Sequence, residues 1–168
     1  MLLLRKSALP QGNNWRYELK LDGYRAIAFK SRGAVSLRSR NDKNFNSNYP
    51  GVVNALGGTP DETVIDGEIV ALDEAGRPSF NALQNYDSGR QPVLYYVFDL
   101  LMLSGRELMR NPLERRRQIL EEEILPTLAE PVQYIPFLNA RLSDVIQSVK
   151  FQGLEGIVAS SRIGPSTN

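Results

Sequence analysis

The sequence holds no cysteine and no histidine. The first absence excludes disulfides and thiolate-held metals. The second removes the commonest general base and metal ligand. Any chemistry therefore rests on Lys, Arg, Asp, Glu and hydroxyl groups. Long apolar runs are scarce too: Met1-Leu2-Leu3-Leu4 is followed at once by Arg5 and Lys6, a run too short for a membrane span or a secretory core. A cytoplasmic address with no membrane partner is expected. Charge of one sign is also lacking, with 20 Lys and Arg against 19 Asp and Glu and a formal net charge of +1. There is no basic block of the kind that phosphate neutralisation usually brings. What is present suits one domain, because 168 residues with 42% hydrophobic content can bury a sizeable core.

Mixed elements without internal repeats lead to an α+β expectation. Alternating apolar and polar residues predict strands over residues 15–20, 24–30, 35–39, 63–72 and 93–103. Residues 73–78, Asp-Glu-Ala-Gly-Arg-Pro, read as a turn after the fourth of these. A helix is predicted to open with Asn111 as N-cap and Pro112 at its first position, to turn Leu113, Leu120 and Ile124 inward, and to stop before Pro126. Leu142, Val145, Ile146 and Val149 repeat at helical spacing, and Gly153 then leads into a short buried strand over residues 155–159. Further helices are expected around residues 49–56 and 80–86.

The most chemically loaded segment is Glu18-Leu19-Lys20-Leu21-Asp22-Gly23-Tyr24-Arg25, a lysine between two carboxylates that closes with glycine and arginine. With a strand on either side, Asp22-Gly23 is expected to make a hairpin turn that tolerates positive φ. Alternation then puts Glu18, Lys20 and Asp22 on one face and Tyr17, Leu19 and Leu21 on the other. Such a lysine is a candidate nucleophile for nucleotide transfer. Desolvation and neighbouring cations favour its neutral amine and flanking carboxylates oppose it, so the chemistry calls for a cation close by. Alone, a K-x-D-G string reads better as a solvated hairpin whose charges keep an edge soluble.

Other segments decide against that reading. In chain order come Ser39-Arg40-Asn41-Asp42-Lys43-Asn44-Phe45, Val64-Ile65-Asp66-Gly67-Glu68-Ile69-Val70, Tyr96-Val97-Phe98-Asp99 and Leu154-Glu155-Gly156-Ile157-Val158. This order resembles the covalent nucleotidyltransferases. Within them it is most similar to the adenylation domain of ATP-dependent DNA ligases, in particular the bacterial group associated with end-joining repair, whose W-x-Y-E-x-K-x-D-G-Y-R opening matches Trp15 through Arg25. The resemblance covers nearly the whole chain. It implies two antiparallel sheets with flanking helices around a nucleotide cleft.

The resemblance also implies roles. Lys20 attacks the α-phosphate of ATP to become lysyl-AMP, and AMP then passes to the 5′-phosphate of nicked or broken double-stranded DNA. Glu18 accepts a hydrogen bond from the adenine amino group, Arg25 and Arg40 contact the ribose and phosphate edge, and Phe98 stacks on adenine. Glu68 binds a ribose hydroxyl or supports Mg2+, and Glu155 sits near the Mg2+. Asp22 shapes the loop after Lys20, where Gly23 gives the backbone room. Asp66 and Asp99 are read as strand-end polarity only.

The last segment departs from the family. Ala159-Ser160-Ser161 stands where ligases usually continue Ala-Lys, and no lysine follows Lys150. The expectation is therefore of a chain cut before the last lysine motif and lacking the OB-fold domain that helps to close on ATP and to grip DNA, with slow or absent self-adenylation and negligible multi-turnover joining on its own. Two alternatives stay open: an RNA ligase or capping guanylyltransferase, and a non-catalytic paralogue that binds nucleotide or nucleic acid.

Overall fold

The computed structural model describes residues 10, 12, 14–86, 92–138, 142–151 and 156–161. Strand β1, Trp15–Lys20, is followed by β2, Tyr24–Ser31, and β3, Ala34–Ser39. The short helix α1, Pro50–Ala55, leads to β4, Thr63–Ala71, and α2, Phe80–Gln84, leads to β5, Val93–Leu103. Then come β6, Arg106–Glu107, α3, Leu113–Ile119, and β7, Val132–Tyr134. Helix α4, Leu142–Phe151, and β8, Gly156–Ser161, complete the order.

These strands make two sheets. One has six strands in the order β3-β2-β4-β5, with β6 and β7 both on the far edge of β5; the other pairs β1 with β8. All pairings are antiparallel except β5 with β7. The α+β expectation holds, as do the five strands, the turn at residues 73–78 and the helices near residues 49–56, 80–86 and 142–149. The two-residue β6 and three-residue β7 carry too little alternation to stand out in the sequence.

The expected hairpin at Asp22-Gly23 does not form. β1 leaves the six-stranded sheet and pairs with β8, while β2 pairs with β3 and β4. Gly23 is thus a crossing point between sheets. A Cβ there would collide with the Ile69 carbonyl oxygen, so the glycine serves close backbone approach and needs no positive φ. Asp22, expected beside Glu18 and Lys20, lies past the end of β1 and is exposed.

The helix near residue 113 also differs. Pro112 is itself the N-cap, in extended backbone, because its ring fixes φ near the value observed, −55°, while ψ stays at 147°. The coil continues beyond α3 as a π turn over Leu120–Ile124 and a 3₁₀ turn over Leu125–Thr127 that takes in Pro126. Leu120 and Ile124 are fully buried as expected, and Arg116 and Arg117 are buried with them.

The core lies between the six-stranded sheet and the helices. Ala26, Leu37, Ile69, Tyr95, Val97 and Leu100 supply its sheet face. Tyr24, Phe45, Tyr49, Phe80 and Tyr86 pack edge-on or tilted beside it, with ring centroids 5.3–6.0 Å apart. The aromatic cluster anchors α1 and α2 to the sheet and leaves the β1 side open for a cavity.

Candidate active site

A cavity of about 690 Å3 opens between the two sheets. β1 contributes Glu18 and Lys20, β2 contributes Arg25, β4 contributes Asp66 and Glu68, and β5 contributes Phe98 and Asp99. Arg40 reaches it from the turn after β3, and Arg116 and Arg117 reach it from α3. Each described residue assigned to the site from sequence therefore lines one cavity. Glu155 lies outside the described residues.

Local backbone geometry explains how β5 presents both Phe98 and Asp99. Asp66 faces Asp99 and Gly67 faces Val97, so Phe98 is the extra residue of a β-bulge. A bulge breaks strict alternation and re-aims a side chain. Phe98 consequently stands on the cavity wall outside the packed core, with the Arg25 guanidinium 5.8 Å from its ring centre. Gly67 makes the bulge possible: a Cβ there would lie 2.6 Å from the Tyr95 ring and from the Tyr96 carbonyl oxygen.

Three carboxylate–guanidinium pairs frame the cavity. Arg25 grips Asp66 through Nε at 3.1 Å and Nη2 at 2.5 Å. Arg116 grips Asp99 through Nε at 2.8 Å and Nη2 at 2.6 Å, and gives a third hydrogen bond of 2.7 Å to the Asn111 carbonyl. Arg117 donates from Nη2 to Glu18. Asp66 and Asp99 are direct cross-strand neighbours, an arrangement that like charges destabilise unless each is neutralised. The bidentate arginines supply that neutralisation. Both aspartates sit within their strands and are buried, so the reading of them as strand-end polarity is corrected.

Electrostatics sort the remaining carboxylates. Burial pushes the Glu68 carboxyl up to about 7; Arg25 and Lys20 pull it back and Asp66 adds to the rise. Burial likewise raises Glu18, against the opposing pull of Arg117. The hydrogen bonds that Arg25 donates to Asp66 prevail over burial and hold the guanidinium pKa above its ordinary value. A half-buried carboxylate held near neutrality at a cavity wall suits a cation supplied with a ligand. Among the described residues, no group of three or more acidic side chains converges as a protein cage for a metal. The donor set fits a hard divalent ion that keeps most of its coordination in water and phosphate oxygens.

The pairs of Arg116 and Arg117 escaped the sequence reading, although its own periodicity pointed to them. With Leu113, Leu120 and Ile124 inward, the positions three and four residues after Leu113 share that face. They are Arg116 and Arg117. Two inward arginines on an apolar helix face call for two buried carboxylates.

Fold and site together define a nucleotidyltransferase of the ligase type, and the chain belongs to the ATP-dependent DNA ligase domain family, whose model matches residues 4–165. It is 38% identical over 158 residues to the multifunctional non-homologous end joining protein LigD of Pseudomonas aeruginosa, covering 92% of this chain and 19% of that protein. The solved ligase domain of Mycobacterium tuberculosis LigD superposes with a TM-score of 0.77 at 33% identity, covering 90% of this chain and 50% of that one. A mycobacterial DNA ligase D complexed with ATP and MES gives a TM-score of 0.76 at 31% identity, covering 90% of this chain and 49% of that one. The chain thus spans about a fifth of the curated relative and about half of each solved ligase chain. Among the described residues no helix is long and apolar enough to cross a membrane.

Proposed function

We propose that this chain is the adenylation domain of an ATP-dependent DNA ligase of the end-joining group and that Lys20 is its nucleophile. The observation that carries the reading is the convergence of Lys20, Glu18, Arg25, Glu68 and Phe98, from four strands of two sheets, on one cavity large enough for a nucleotide. In this reading the Lys20 amine attacks the α-phosphorus of ATP. A P–N bond forms, the bond to the bridging oxygen of pyrophosphate breaks, and the amine proton passes to solvent. AMP then moves from Lys20 to the 5′-phosphate of a nicked or broken duplex, and attack by the 3′-hydroxyl releases it.

The other side chains bind and orient. Phe98 offers a face for adenine, Glu18 an acceptor for its amino group, and Arg25 and Arg40 donors for the ribose and phosphate edge. Glu68, with Glu155 as second carboxylate, would hold Mg2+, which when bound neutralises phosphate charge and aids departure of pyrophosphate. Grip on DNA is assigned to an OB-fold domain and to repair modules outside this segment, and a cytoplasmic address belongs to the same proposal.

Mass spectrometry after incubation with Mg2+ and either ATP or GTP tests it. An AMP adduct on Lys20 that vanishes in Lys20→Ala supports the reading. A GMP adduct would instead favour a capping-type enzyme, and AMP on a different lysine would refute the assignment of the nucleophile.

A further inference from the structure

We propose that Arg117 is a positioning residue for base selection, holding the Glu18 carboxylate ionised and in one orientation so that the site takes adenine in preference to guanine. The inference rests on the reading of Glu18 as the acceptor for the adenine amino group, and adds the device that makes Glu18 fit for it.

A buried glutamate is a poor base reader unless its charge and direction are fixed. Glu18 is 7% exposed, and burial favours its neutral form. A protonated carboxyl would offer a donor as well as an acceptor, and so would accept the carbonyl edge of guanine about as readily as the amino edge of adenine. Among the described residues few groups face Glu18. Asp99 on β5 raises its pKa, Arg117 on α3 lowers it, the Ser160 hydroxyl stands on the neighbouring strand β8, and Arg16 and Lys20 share its face of β1. Arg16 is already committed to Glu114 on α3, with Nη2 at 3.0 Å from its carboxylate. The described cation in contact with Glu18 is Arg117.

Arg117 is itself held rigidly. It is 2% exposed, it projects from the last turn of α3 just before the π turn, and its guanidinium lies 4.0 Å from the centre of the Phe137 ring. Arg16 lies over the same ring at 5.8 Å. The Phe137 segment is tied to β1 by a hydrogen bond of 2.7 Å from the Leu138 amide to the Tyr17 carbonyl. Strand, ring and guanidinium are therefore joined by direct contacts. Nε and Nη1 of Arg117 are buried without a hydrogen-bond partner among the described residues. For stability alone this is a costly way to fill the space, and an apolar pair would do as well or better. The charge acts on Glu18 through the ion pair, and on Tyr134 beside it.

AMP and GMP, which lack a pyrophosphate leaving group and form no adduct, are the probes, titrated by calorimetry. Glu18→Gln should lower the AMP-to-GMP affinity ratio about ten-fold or more, in keeping with loss of a hydrogen bond to a charged acceptor. Arg117→Met should lower the ratio as far near pH 7, and the preference should recover as the buffer is raised towards about pH 8.5 and Glu18, deprived of its cation, is driven to ionise. The wild-type ratio should stay flat over that range, because the nucleotide phosphates titrate alike and cancel. The double variant should match Glu18→Gln alone. If Glu18→Gln leaves the ratio unchanged, the reading of Glu18 itself fails. If Glu18→Gln lowers the ratio and Arg117→Met weakens AMP and GMP equally, the inference about Arg117 alone is overturned. Should Arg117→Met fail to fold, the double variant decides: AMP affinity and ratio equal to those of Glu18→Gln support the proposal, and a further loss in the double overturns it.

Discussion

At the scale of single residues, side chains with similar sequence surroundings have separate jobs, and exposure sorts them. Phe98 sits in an apolar strand and would pass for core, yet it stands outside the packed cluster on the cavity wall. Phe98→Ala should therefore weaken adenine nucleotide binding by roughly 1–3 kcal/mol, the range for base–aromatic stacking, and barely shift the unfolding midpoint. Calorimetry beside a denaturant melt checks both halves of that statement. The ion pairs divide in the same manner. The Arg116 side chain is 0% exposed and that of Arg25 31%. Arg116→Met leaves Asp99 buried without its counter-charge and should cost about 3–5 kcal/mol. Arg25→Met leaves Asp66, whose side chain is 5% exposed, without its counter-charge too, but water can enter where the 31% exposed guanidinium stood, so the cost should be smaller. Urea unfolding of the two variants side by side checks this, and equal losses would show the two pairs to be equivalent.

At the scale of elements, backbone approach sets the site. The bulge at Asp66/Gly67 aims Phe98 and Asp99 at the same cavity, and it needs the Tyr95 ring where a Gly67 side chain would be. Gly67→Ala should destabilise, although alanine within a strand ordinarily gains about 0.5–1 kcal/mol over glycine, since neither the ring nor the Tyr96 carbonyl can give way cheaply. Far-UV circular dichroism on a denaturant series measures it. Elements with strong periodicity were legible in the sequence: five strands, α4 and the turn at residues 73–78. The partner of β1 was not. Alternation states which face of a strand is apolar and is silent about its neighbour, so proximity along the chain suggested β2 where the fold uses β8. Residues of the cavity wall were legible where a motif carried them, as with Lys20, Glu18, Arg25 and Glu68. Asp66 and Asp99 were underrated because their function depends on arginines from β2 and α3, and those partnerships are tertiary. The bulge that frees Phe98 has no signature beyond Gly67.

For the whole molecule, the buried acids set the pH response. Glu68 has a folded pKa of about 7 against an ordinary 4.5, so the folded state binds its proton more tightly than the unfolded chain does. Its contribution to stability is fully present below about pH 4.5 and is lost as pH rises through about 7. Glu18 shifts in the same direction. Glu68→Gln, permanently neutral, should therefore flatten the fall in stability between those limits and be more stable than wild type at alkaline pH. Urea midpoints across the pH range test this, and a steeper fall in the variant would contradict the assignment of Glu68 as the titrating group.

The pairing of β1 with β8 also bears on how the domain is born. A chain leaving the ribosome at about 5–20 residues per second exposes the Lys20 strand early, whereas the strand that closes against it, at Lys20 opposite Gly156, emerges only after β2 to β7 are already out. The six-stranded scaffold can thus assemble first, and the β1–β8 pairing forms last. A nascent or prematurely terminated chain would carry Lys20 and its flanking acids without the β8 wall of the cavity, Val158 and Ser160.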